Sequence, residues 1–176
     1  MVSSVEVGLS IGAFALQTLV VYAGNSRLFG LLKPGSGWYT NVEMSERYAS
    51  LVTPAKWAFA IWGIIYIWET AAMVYLVINP AVAPLDPTLK LWLVANACQA
   101  LWAPLFATEK LALSAAALSG IAISLVGLGL SLPAATILDY FFFAAPMWLH
   151  AGWTVAASIG RSLGAIEPEM GPSEPQ

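Results

Sequence analysis

Charged side chains are scarce in this chain of 176 residues, and their scarcity indicates its class. They make up 10% of the sequence, whereas a typical soluble domain has about 25%. Hydrophobic residues make up 59%, so the chain does not have enough polar surface to cover itself in water. The composition therefore predicts an integral membrane protein.

Histidine and cysteine are also scarce, with one residue of each in the chain. A lone cysteine excludes a disulfide framework, and a lone histidine excludes a histidine pair for zinc or haem, so no metal site is predicted. The sequence contains no phosphate loop and no Ser/His/Asp arrangement, and we do not expect an enzyme. A net charge of −3 without a basic patch argues against a nucleic-acid partner.

Long apolar runs take up most of the chain, and each has about the 20 residues needed to cross a bilayer. They lack the two-residue alternation of barrel strands, and helices pair every backbone group internally, so we predict helices. The predicted spans are about 5–24, 55–78, 89–107, 112–132 and 137–160. The fold class is thus an all-α integral membrane protein, a five-transmembrane-helix bundle in one domain over 1–162. An acidic, proline-rich tail follows over 163–176, which we expect to be disordered when the chain is alone.

The basic residues predict the orientation of this bundle. Six of the seven lie on the side shared by the first loop, the third loop and the C-terminus, and only Lys90 lies opposite. The positive-inside rule therefore places the N-terminus outside and the C-terminus inside. The first run has no basic residue before it and carries Glu6, which favours a retained span over a signal peptide. We expect a bacterial inner membrane or an organelle membrane, plastid or mitochondrial.

Aromatic residues recur on one face of three predicted helices. At 100° per residue, the second span presents Phe59, Trp62, Tyr66 and Glu69 on one side. The third and fifth spans each gather aromatic and polar residues in the same way. These are Trp92, Asn96, Gln99 and Phe106 in the third span, and Phe143, His150 and Trp153 in the fifth. If the faces converge, they line a cavity with flat apolar walls and a few directional polar groups.

Glu69 is the polar outlier among these faces. An ionised carboxylate at the centre of a span costs about 2.5–3.5 kcal/mol, so it needs a partner, water or a proton. His150 lies at comparable depth, and our hypothesis is a contact between Glu69 and His150. The alternative is that Glu69 is a neutral hydrogen-bonding residue between helices and His150 an ordinary core histidine.

Small residues recur at four-residue spacing in three of the predicted spans. Gly8 and Gly12 form one such pair, Ala116, Gly120 and Ser124 form a second series, and Gly152, Ala156 and Gly160 form a third. This spacing is typical of helices that approach closely, either within one chain or between the two copies of a homodimer.

Three runs of residues together resemble one known family. The second span opens with Pro54-Ala55-Lys56-Trp57-Ala58-Phe59, followed by Trp62 and Tyr66. The third contains Gln99-Ala100-Leu101-Trp102-Ala103-Pro104-Leu105-Phe106, and the fifth has Pro146 before Trp153-Thr154-Val155-Ala156. With the helix count and the long first loop, these runs resemble the tryptophan-rich sensory proteins, the TspO and translocator protein family, over about 38–160.

The resemblance implies that a porphyrin, another haem-type tetrapyrrole or a similar flat lipophilic ligand binds in a cavity beneath the first loop. The implied ligand-binding residues are Trp57, Trp62, Tyr66, Trp102 and Trp153, and the polar faces add Gln99 and Asn96. Leu51 or Val52 stands where the family has its first tryptophan, and Ala55 replaces a proline. For that reason we do not expect the porphyrin degradation proposed for some bacterial members.

A second function stays open at this point. The chain could be an accessory subunit of a large photosynthetic or respiratory membrane complex that uses the same fold structurally. His150, Glu69, Gln99 or Asn96 would then ligate chlorophyll magnesium, and the tryptophans would pack against carotenoids or lipids. In both cases the expected partners are the lipid bilayer and a small lipophilic molecule.

Overall fold

The computed structural model describes residues 4–49, 53–82, 88–132 and 136–164. These ranges form α-helices joined by turns and loops, with short 3₁₀ turns at Lys56–Ala60 and Pro80–Val82. A π-helical turn, Tyr140–Ala144, joins the last two helices. In chain order the helices are α1 (Ser4–Asn25), α2 (Asn41–Arg47), α3 (Ile61–Ile78), α4 (Thr88–Ala107), α5 (Leu111–Ser131), α6 (Ile137–Asp139) and α7 (Ala145–Gly164).

Helical structure covers all five predicted spans, but the helices differ in how apolar they are. Within the described residues, three segments are long and apolar enough to cross a membrane, namely Ser4–Asn25, Lys56–Ile78 and Leu111–Ser131. α4 and α7 have 20 residues each but are less apolar, because they carry polar residues such as Asn96 and His150. Both of these side chains are buried inside the bundle. Length and composition thus support three of the five predicted spans. The predicted disorder of the tail concerns 165–176, which lie outside the described residues.

The long helices pack side by side in an order that closes the bundle. α1 packs against α4, α4 against α5, and α5 against α7, while α3 contacts α7, the π turn and α1. The turn between α4 and α5 is only 108–110, so these two helices are neighbours in the bundle. Their interfaces bury a core of Ile121, Leu125, Leu128 and Met147, each 0–1% exposed.

Two glycines of α5 explain how closely this helix packs against its neighbours. A Cβ at Gly120 would lie 2.8 Å from Cys98 Sγ of α4, so the predicted close approach around Gly120 is confirmed. A Cβ at Gly129 would lie 2.7 Å from the Trp148 ring of α7. Around Gly8 and Gly12, by contrast, no atom of the described residues comes within 4 Å of an added Cβ. Their spacing therefore does not serve packing within the described bundle.

The first loop is fastened over one end of the bundle. The Trp38 indole donates to the carbonyl of Gly24 at 2.9 Å, and the Tyr39 backbone N–H donates to the carbonyl of Ala107 at 2.9 Å. Directly after α1, the backbone of Arg27–Phe29 is left-handed, with φ of 49°, 52° and 58°. This conformation costs a non-glycine residue roughly 1–2 kcal/mol. The loop thus holds a strained turn next to the end of α1.

The short helix α2 begins with a capping box. The Thr40 hydroxyl accepts from the Glu43 backbone N–H, and the Thr40 backbone N–H donates to Glu43 Oε2 at 2.8 Å. Arg27 also forms an ion pair with Glu43. The Thr40 backbone N–H, the Thr40 hydroxyl and the Arg27 guanidinium together hold the pKa of Glu43 below its usual value.

Acidification is therefore expected to loosen α2. A carboxyl with a lowered pKa in the folded state contributes stability above its unfolded pKa of about 4.3, and loses it as pH falls through the folded pKa. Hydrogen exchange of the α2 amides, corrected for intrinsic pH effects, should show protection falling below about pH 4. Glu43→Gln should reduce protection at neutral pH and remove the acid-dependent step. Unchanged protection in Glu43→Gln would show that the charge of Glu43 does not stabilise α2.

Candidate functional site

An aromatic cluster centred on Trp62 lies where α3, α4 and α7 meet. The Trp62 ring stacks on Tyr66 and on Trp102, each with centroids 5.7 Å apart. It meets the rings of His150 at 5.5 Å and Trp153 at 6.3 Å in edge-to-face geometry. Offset-stacked and edge-to-face pairs are the arrangements that aromatic rings prefer. Four of the five aromatic residues implied by the resemblance thus lie together.

Polar groups at the edge of this cluster are only partly satisfied. The Gln99 side-chain amide donates to the Tyr66 hydroxyl at 3.0 Å. The indole Nε1 of Trp102 is buried and has no hydrogen-bond partner among the described residues. Buried indole N–H groups usually find an acceptor. Trp102 lines neither the cavity beside Trp62 nor the one beside Glu69, so this donor stays unsatisfied within the cluster.

A cavity opens beside Trp62 and beneath the first loop. Its volume is about 220 Å³. Its walls come from α1, the start of α2, the 3₁₀ turn and α3, and combine aromatic, aliphatic and amide side chains. The lining residues are Val21, Asn25, Asn41, Val42, Phe59, Trp62 and Tyr66. Flat aromatic walls with two amides at the rim suit a flat apolar ligand with one or two polar substituents.

Glu69 and His150 meet in the interior of the bundle. Glu69 Oε1 lies 2.8 Å from His150 Nδ1, and the two residues are 0% and 4% exposed. Glu69 is held on α3 and His150 on α7, so the contact joins two helices. The edge of the His150 ring lies against Trp62, which places this pair directly behind the aromatic cluster.

A second, much smaller cavity adjoins the pair. It measures about 10 Å³ and is lined by residues from α1, α3, α4, α5 and α7. The lining residues are Gln17, Glu69, Trp92, Ala95, Asn96, Gln99, Leu125 and His150. Asn96 belongs here and not to the larger cavity, and its amide donates to the Trp92 carbonyl of its own helix at 2.8 Å. Gln99 lies between the two cavities, since it lines the small one and binds Tyr66 of the large one.

Trp57 lies apart from the other predicted ligand-binding residues. Its side chain is 81% exposed in the 3₁₀ turn before α3, and it lines neither of these two cavities. Its position suits contact with lipid or the membrane interface. Trp102 and Trp153 also line neither cavity, so Trp62 and Tyr66 are the two of the five predicted aromatic residues that line the larger one.

Other site residues were missed from the sequence. Asn41 and Val42 reach the large cavity through the first loop, which carries no periodic pattern to reveal them. Gln17 of α1 lines the small cavity, and the sequence does contain a feature that indicates it. It is an amide in the middle of an apolar span, the same kind of outlier as Glu69. No group of three or more histidine, cysteine, aspartate or glutamate residues that could hold a metal occurs within the described ranges.

Comparison with known protein families agrees with this arrangement. The family model of the TSPO-like proteins matches residues 11–163, which is most of the chain. The chain therefore belongs to the TSPO-like protein family and is a membrane protein of that kind. No curated protein and no solved structure gives a significant match.

Proposed function

We propose that this protein binds a flat lipophilic ligand, of the tetrapyrrole kind or smaller, in the cavity of about 220 Å³ beneath the first loop. The observation that carries the proposal is the convergence of Phe59, Trp62 and Tyr66 on that cavity. We propose binding and not catalysis, because the cavity walls offer stacking surfaces and amides.

The aromatic cluster gives this cavity a rigid wall. Trp62 is held by rings on several sides, so little side-chain entropy remains to be lost when a ligand stacks on it. Preorganised aromatic surfaces of this kind bind flat apolar molecules by shape and stacking. Asn25 and Asn41 at the rim suit the polar substituents that such ligands carry.

The size of the cavity limits which ligand fits without movement. Sites for drug-sized ligands usually measure about 300–1,000 Å³, and this cavity is smaller at about 220 Å³. A ligand of two or three fused rings fits it as it stands. A whole tetrapyrrole requires the first loop to move outward, and the strained turn at Arg27–Phe29 is the segment where such movement would release strain.

We extend the proposal to the membrane topology. All five long helices cross the bilayer, with α4 and α7 turning their polar residues into the bundle. The N-terminus lies outside and the C-terminus inside, as the basic residues predict. The host is a bacterial inner membrane or an organelle membrane.

Pigment ligation by His150 has less support than stacking in the larger cavity. His150 is 4% exposed, and the cavity beside it measures about 10 Å³, which leaves no room for a macrocycle. A subunit of a photosynthetic or respiratory complex would need its chlorophyll elsewhere on the chain. We therefore propose the ligand-binding function as the main one.

Ligand titrations on the detergent-solubilised protein test the proposal. Protoporphyrin and a two-ring aromatic such as naphthol should both quench tryptophan fluorescence saturably. Trp62→Ala removes a stacking surface worth about 2 kcal/mol, so affinity should fall roughly 30-fold.

Trp57→Ala is the matched control for this titration. It removes an indole from the neighbouring turn but leaves the cavity walls unchanged. Its affinity should therefore equal that of the wild type. Equal affinity in Trp62→Ala and wild type would show that binding, if present, occurs elsewhere.

A further inference from the structure

The small cavity brings together four polar atoms that have no hydrogen-bond partner among the described residues. They belong to side chains of α1, α3, α4 and α7 that line it, and each side chain is 0–4% exposed. The atoms are Gln17 Oε1, Glu69 Oε2, Gln99 Oε1 and His150 Nε2. Leaving one buried polar atom unsatisfied costs about 1–3 kcal/mol, so four around a single cavity require an explanation.

The cavity has the size of one water molecule. A water needs about 10–15 Å³ and two to four polar partners, and this cavity offers about 10 Å³ and four. Water has two hydrogens to donate and two lone pairs to accept with. The oxygens of Gln17 and Gln99 can take both hydrogens, because each of these amides uses its nitrogen to donate elsewhere.

The count of donors then indicates how the Glu69–His150 pair is protonated. If Glu69 is ionised and His150 neutral, Nδ1 donates to Glu69 and Nε2 can only accept. The cavity would then contain four acceptors and only the two hydrogens of the water. If the pair holds one more proton, Nε2 carries a hydrogen and donates it to the water. This second state leaves one acceptor, Glu69 Oε2, without a donor, whereas the first state leaves two of the four acceptors without one.

Electrostatics favour the same state. With the additional proton the pair has no net charge, either as an ion pair or as a neutral acid beside a neutral imidazole. Without it, one negative charge would be buried in a low-dielectric interior. The other elements supply no compensating cation among the lining residues: Gln17 on α1, Asn96 and Gln99 on α4, and Leu125 on α5 are uncharged. On α3 the neighbouring titratable group is Tyr66, which is a neutral hydrogen-bond partner of Gln99.

We propose that this cavity binds one water molecule and one proton in the centre of the bundle. The proton is shared by Glu69 and His150, and His150 Nε2 donates to the water that bridges Gln17 and Gln99. The site is separate from the ligand cavity and does not depend on the proposed function.

The lone histidine makes this site directly observable. Protein labelled with ¹⁵N-histidine, carrying an affinity tag without histidine, gives ring-nitrogen signals from His150 alone. At neutral pH, Nε2 should carry a bonded hydrogen that it donates to the water. A spectrum at neutral pH in which Nε2 lacks its hydrogen would overturn the proposal.

A variant of the water partner gives a second test. Gln17→Met keeps the length of the side chain but removes the acceptor, so the water loses one of its partners. The Nε2 signal should shift, because the water that accepts the Nε2 hydrogen is held by one partner fewer. Leu16→Val, on the exposed side of the same helix, should leave the signal unchanged. An Nε2 signal that is identical in Gln17→Met and wild type would exclude the bridging water.

Discussion

Replacing Glu69 with leucine is expected to lower the free energy of unfolding by about 2–3 kcal/mol, because it leaves His150 buried without its partner. Hydrogen bonds between membrane helices average only about 0.6 kcal/mol, since the unfolded helices find other partners in the membrane. The Glu69–His150 contact should exceed that value, because both side chains are sealed from water and lipid at 0% and 4% exposure.

The double variant Glu69→Leu/His150→Leu decides whether the pair acts as a unit. Removing both members leaves no buried polar group without a partner. Replacing a buried ion pair with apolar residues often leaves stability unchanged. The double variant should therefore cost less than the sum of the two single variants, measured by unfolding in mixed micelles. Thr70→Val is the matched control, since Thr70 is exposed and donates only to the Tyr66 carbonyl of its own helix. Additive single effects would show that the contact contributes nothing.

Gly129→Leu is expected to lower the free energy of unfolding of the bundle. A Cβ at this position already comes within 2.7 Å of the Trp148 ring, so a larger side chain forces α5 away from α7. Overpacking of this kind costs about 1–3 kcal/mol. Trp148 is 37% exposed, and outward rotation of its ring would relieve part of the clash. We therefore expect about 2 kcal/mol of destabilisation.

Gly12→Leu provides the comparison for this prediction. No described atom lies within 4 Å of a Cβ there, and glycine weakens a helix interior by roughly 0.5–1 kcal/mol. Gly12→Leu should therefore be neutral or slightly stabilising in thermal unfolding of the solubilised monomer. Equal effects at the two glycines would contradict the close packing of α5 on α7.

Several features of the site could be predicted from the sequence because they follow helical periodicity. Trp62, Tyr66 and Glu69 lie on one face of α3 as the spacing predicts, and Trp102 meets them from α4. Trp57 was assigned to the site through the resemblance alone. In the 3₁₀ turn before α3, Phe59 lines the larger cavity, whereas Trp57, two residues earlier, is 81% exposed.

The remaining features depend on tertiary structure that no local pattern reveals. Asn41 and Val42 line the larger cavity because the first loop folds back over the bundle, and its ties are a tryptophan indole and a backbone N–H. The clash at Gly129 depends on which ring of α7 lies opposite. Gln17 is different, because a single amide within an apolar span could have been recognised as a partner for other buried polar groups.

The most direct measurement of the central claim is extraction in mild detergent, with particle size and absorption spectrum recorded together. A ligand-binding TSPO-like protein should elute as a small, colourless monomer or dimer. It should then take up added protoporphyrin with quenching of tryptophan fluorescence. Elution in a large particle with chlorophyll or carotenoid bands would contradict the account and indicate a subunit of a pigment-containing complex.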